Sequence, residues 1–96
     1  MRLVVVVVDR ERAGEVTSLF DAGGVTGYSL LPDVLGRGES GGHFGTRAFP
    51  GENAMVLALV PHAQAQGLTE ALRDLKRKFL SSQGLMAFAL DAAPLV

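Results

Sequence analysis

The chain has 96 residues, enough for one domain but not for two. Nine Lys and Arg against ten Asp and Glu give a formal charge of -1, which argues against nucleic-acid binding through a basic face. With no cysteine, disulfides, thiol catalysis and thiolate metal sites are excluded.

The chain opens on MRLVVVVVDRE. Residues 3–8 are a β-branched run of strand length, apolar on both faces. A basic residue before an apolar run is like the start of a signal peptide, but Asp9 and Arg10 end it too early and no small-residue cleavage site follows. Nothing approaches the roughly 20 apolar residues of a membrane span. The expectation is a soluble, cytoplasmic protein with no membrane insertion. Asp9 stands where its carboxylate would cap the following helix. Val16, Leu19, Phe20 and Gly23 recur at helical spacing, which predicts a helix over 10–22 that Gly23 and Gly24 stop.

A second strand is predicted over 27–35, with Tyr28 as a packed strand aromatic. Pro32 lacks an amide hydrogen and suits an edge or a bulge. NAMVLALV, residues 53–60, reads as a clearer strand that Pro61 ends. Leu68, Ala71, Leu72, Leu75 and Phe79 then mark the apolar face of a helix over 62–80. Arg73, Lys76, Arg77 and Lys78 cluster near its C-terminal end, where cations are favoured. They read as a solvated helix end or as a patch for an acidic or phosphate-bearing partner. Residues 81–84 form a turn and 85–90 a last strand. The order βαββαβ places the chain in the α/β (α+β) class as a ferredoxin-like sandwich. Its four-stranded antiparallel sheet carries both helices on one face. Because the strands are apolar on both sides, the open face is expected to meet another subunit.

Residues 35–52 read LGRGESGGHFGTRAFPGE and hold six of the twelve glycines. A connection this long in a small domain is usually functional. Its amides can cradle an anion, and Arg37 and Arg47 are bidentate donors for phosphate or carboxylate. Glu39 and Glu52 either pair with those arginines or bind a hard cation. Phe44 and Phe49 either anchor the segment or dock on a partner. Gly36, Arg37 and Gly38 match neither the Walker loop nor the dinucleotide fingerprint. His43 and His62 stand far apart without cysteine, so no metal site is expected. Asp33, Glu39 and Glu52 have no visible apolar pocket, and Ser40 has no base placed by sequence. No catalytic residue is assigned, and an enzyme is not expected.

The segments LVVVVVDRE, GYSLLPDVLGRGE, AMVLALVP and DLKRKFL, in this order around the glycine-rich connection, resemble the PII signalling superfamily of nitrogen-regulatory proteins. DVLGRG is similar to the strand that enters the family's T-loop. The likeness spans residues 1–96 as a single PII-like domain with a T-loop-like segment at 36–52. It implies a homotrimer with sheets facing inward and a role in nitrogen regulation. Clefts between subunits would take ATP, ADP or AMP as regulatory ligands, with no tightly bound cofactor. The T-loop would dock on a target such as a transporter or an enzyme. Gly36, Arg37 and Gly38 would line the cleft near the loop base, and residues 60–62 would form another wall. Ser82 and Gly84 would occupy the B-loop position, and Arg47 would supply a phosphate contact. Glu39, His43, Phe44 and Phe49 would face the partner.

The likeness also has departures. LSSQGL is shorter than the family's B-loop and lacks its basic residues. Little chain follows the fourth strand, where the family has basic nucleotide contacts. Tyr28 stands in the strand rather than the loop, so uridylylation control is not expected. Two other readings remain: a structural or protein-interaction trimer without nucleotide, and a small metal-responsive trimer like the divalent-cation-tolerance proteins.

Overall fold

A computed structural model describes residues 1–34, 53–79 and 84–96. The elements are β1 (Arg2–Asp9), a 3-10 turn (Arg10–Arg12), α1 (Ala13–Ala22), β2 (Ser29–Val34), β3 (Asn53–Val60), α2 (His62–Arg77) and β4 (Leu85–Asp91). The four strands form one sheet in the order β2-β3-β1-β4, and every neighbouring pair is antiparallel. This is the expected ferredoxin-like arrangement.

The valine run makes β1 central, flanked by β3 and β4. Its alternate residues Val4, Val6 and Val8 join Ala54, Val56, Ala58 and Val60 of β3 under the helices. Val16 and Phe20 of α1 and Leu68, Leu72 and Leu75 of α2 close the core from above. Phe20 is fully buried and meets Tyr28 edge-on at 5.9 Å between ring centroids. Burying side chains of this size contributes roughly 1.5–3 kcal/mol each. No helix among the described residues is long and apolar enough to cross a membrane.

Several local expectations change. Asp9 does not cap a helix with its side chain: β1 runs through it, and α1 begins only at Ala13, after the 3-10 turn. The second strand is shorter than expected, and Tyr28 lies just before it. The second helix ends at Arg77, with Lys78 as its C-cap. Pro32 sits as anticipated, on edge strand β2 and within the register shift between Leu31 and Val34. The end of α1 is set by Gly24, whose φ of 79° suits glycine. Its N–H donates to Asp21 O and that of Val25 to Phe20 O, a Schellman motif closed by the Phe20–Val25 apolar pair.

The opposite face of the sheet carries no helix, and register plus alternation define its side chains. One row is Leu90, Leu3 and Leu59; the next is Phe88, Val5, Leu57 and Ser29; the third is Met86, Val7, Met55 and Leu31. Phe88 and Leu90 are 48% and 49% exposed. Ser29 is the only polar residue in these rows, and an apolar field of this extent marks an association surface.

Candidate functional site

One rung of the sheet gathers the roots of both loops singled out by sequence. Val34, the last residue before 35–52, pairs with Asn53, the first after it. Asn53 pairs in turn with Asp9. The Asp9 N–H donates to the carbonyl of Gly84 at 3.1 Å, and Gly84 follows residues 80–83. Two loops remote in sequence therefore leave the sheet side by side, because β1 lies between β3 and β4.

The centre of this rung is polar and buried. Asp9 is 7% exposed and Asn53 4%. Alternation puts both on the open side of the sheet, in line with Val7 and Met55. The Nδ2 of Asn53 has no hydrogen-bond partner. Around the rung, Arg10 Nη1 donates to Asp33 Oδ1 at 2.6 Å and ties the 3-10 turn to β2. The Arg12 guanidinium lies 4.3 Å from the Phe79 ring centroid and pairs with Glu15. Such a cation–π contact is worth about 0.5–1 kcal/mol at an exposed site. It holds Phe79, the root of the 80–83 loop, against the start of α1.

Of the sequence-predicted ligand residues, only Gly84 lies among the described residues, and it sits on this rung. Gly36, Arg37, Gly38, Arg47 and Ser82 lie outside them, as do the partner-loop residues Glu39, His43, Phe44 and Phe49. Residues 60–62 stand at the far end of β3 from Asn53. Seven strand rises, about 23 Å, separate the two ends. A single chain does not bring that proposed wall to the loop roots. His62 is exposed there, 3.8 Å from Asp91, which accepts a 2.9 Å hydrogen bond from Arg2. Among the described residues no group of three metal-ligating side chains forms.

Sequence reasoning missed Asn53, and it took Asp9 for a cap. Each is a polar residue at the end of an apolar run, and only strand pairing shows that they are neighbours. The signal was faint: both are short polar residues flanking a loop.

The largest concavity among the described residues lies elsewhere. An open groove of about 790 Å³ runs between α2 and β4, with Ala87, Ala89, Leu72 and Leu85 along it and Arg73 and Lys76 among its polar lining. It exists because α2 packs towards β1 and leaves the alanines of edge strand β4 uncovered. Its openness and its distance from the loop roots mark it as an uncovered flank rather than a ligand pocket.

The sequence matches the family model described as nitrogen regulatory protein P-II over residues 1–86. No curated protein matches it. Among solved structures it is similar to CPII, a nitrogen regulatory PII-like protein from Thiomonas intermedia K12 bound to ADP, AMP and bicarbonate. The TM-score is 0.70 at 20% identity, covering 93% of this chain and 84% of that one. The apo form of CPII gives a TM-score of 0.66 at 17% identity, over 93% and 87%. A PII-like signalling protein from Thermus thermophilus gives 0.65 at 17% identity, over 93% and 83%. At these identities the structural likeness is one of fold. The family match, spanning nearly the whole sequence, makes the chain a member of the nitrogen regulatory protein P-II family.

Proposed function

We propose that the protein is a non-enzymatic, cytoplasmic signalling trimer that senses an adenine nucleotide or small anion in clefts between subunits. Binding reorganises segment 36–52, which engages or releases a target protein such as a transporter or enzyme in nitrogen regulation. The observation that carries this reading is the convergence of both loop roots on one buried polar rung, at the margin of an uncovered apolar sheet face.

The chemistry fits an anion. At the rung, Arg10 is matched by Asp33 and Arg12 by Glu15. The charge opposing an anion would come from Arg37 or Arg47. Gly36, Gly38, Ser82 and Gly84 would offer backbone donors. The wall at residues 60–62 would come from a neighbouring subunit, as its distance along β3 requires. The ADP, AMP and bicarbonate in the Thiomonas CPII structure support the ligand class. A ligand that prefers one loop state by about 1.4 kcal/mol biases it tenfold, so no bond need break.

Calorimetric titration of the nucleotide-free protein with ATP, ADP and AMP tests this, with sedimentation to give the assembly. Saturable binding near one ligand per subunit in a trimer is expected, and Arg37→Ala and Arg47→Ala should each weaken it. Absence of binding across temperatures would overturn it. The second reading, an interaction trimer without ligand, is favoured by the groove between α2 and β4 with Arg73 and Lys76 in its lining.

A further inference from the structure

Asn53 carries an unmet obligation. Its side chain is almost wholly buried, yet Nδ2 donates to nothing. An unmet buried donor lowers stability, and native proteins hold few of them without a cause. The sheet does not supply that cause. The backbone of any residue but proline would pair with Asp9 and Val34 as Asn53 does. Neighbouring residues on β3 are apolar, so an apolar side chain at 53 would meet no polar demand from the strand.

Position and chemistry supply it. Asn53 stands at the middle of the rung where both loops leave the sheet. A carboxamide nitrogen offers two hydrogens and no charge, so it suits an oxygen acceptor and not a cation. We infer that Asn53 Nδ2 is a ligand contact: it donates to an acceptor oxygen of an anion held at the loop roots. This rests on the anion-sensing reading above. The empty protein carries an unsatisfied donor, and loading satisfies it, so part of the binding energy comes from relieving a defect of the free state. Phosphate and bicarbonate oxygens share this acceptor chemistry.

The test compares the full chain with Asn53→Ala and Asn53→Leu, titrated by calorimetry with ADP and, separately, with bicarbonate. Thermal midpoints are read without ligand. The wild type is expected to bind at least one of the two, and both variants to bind it about tenfold or more weakly. The weakened ligand identifies whether the acceptor is a phosphate or a carbonate oxygen. The ligand-free midpoint of Asn53→Leu, close in shape to asparagine, is expected to equal or exceed that of the wild type. If the wild type binds and both variants match it, this inference fails while the sensing reading stands. If the wild type binds neither ligand, both fail. A ligand-free midpoint several degrees lower in Asn53→Leu would show that the amide is already partnered, and would overturn the inference even if binding weakened.

Discussion

Gly24 and Gly67 are both glycines next to the helix pair, but they face opposite constraints. Gly24 ends α1 with φ at 79°, a conformation that penalises any Cβ, and an added Cβ would approach Gln64 Nε2 to 3.3 Å. That amide is already engaged, donating to Gly23 O at 2.9 Å. Gly24→Ala is therefore expected to destabilise the protein by about 1–2 kcal/mol. For a domain of this size that lowers the thermal midpoint by roughly 4–8 °C per kcal/mol. Gly67 lies inside α2 with nothing near its missing Cβ. Gly67→Ala should stabilise by about 0.5–1 kcal/mol through the lost backbone freedom of the unfolded chain. Denaturant midpoints of the two variants, moving in opposite directions, check both. The glycine stop was legible because its chemistry is local to four residues. The Asp9–Asn53 pair was not, since 44 positions of sequence separate residues that only the closed sheet brings together.

Helix α2 shows how far an element's pattern predicts its energetics. Its apolar stripe was readable at Leu68, Leu72 and Leu75, and all three are buried under the same roof. Leu72→Ala should cost about 2–5 kcal/mol, a large part of the roughly 5–15 kcal/mol that holds a domain folded. Lys76→Ala, off the stripe and facing the open groove, should stay within about 0.5 kcal/mol. Equilibrium urea unfolding separates the two, and a small effect at Leu72 would contradict the packing described. Strand boundaries were less legible. The second strand was expected over 27–35 and spans Ser29–Val34, because residues 25–28 extend into the Val25 and Tyr28 contacts with Phe20 before pairing starts. The two sheet edges also differ in kind. β2 is guarded by Pro32 and a register shift, both of which discourage a further strand. β4 offers Leu85 to Leu90 with no proline and no charge, an edge that natural proteins cover.

At the scale of the whole molecule, the uncovered sheet face and the proposed ligand site become one problem. The loop roots sit at one end of β3 and the proposed second wall at the other. If ligand needs both, assembly must come first, and binding must fail in a monomer whose loops are intact. Phe88→Asp puts a carboxylate in the middle of the exposed apolar face, on an edge strand where the side chain is half exposed and the core beneath is untouched. A buried, unpaired carboxylate at a subunit contact costs several kcal/mol, enough to dissociate a complex of ordinary strength. The variant is expected to sediment as a folded monomer, with wild-type secondary structure by circular dichroism, and to lose nucleotide binding. A folded monomer that binds nucleotide with wild-type affinity would place the whole cleft within one chain. The reach of β3 would then have no part in forming it. A variant that remains assembled would instead mean that the subunits meet through another surface, and the β4 flank with its alanine floor would be the next place to put a charge.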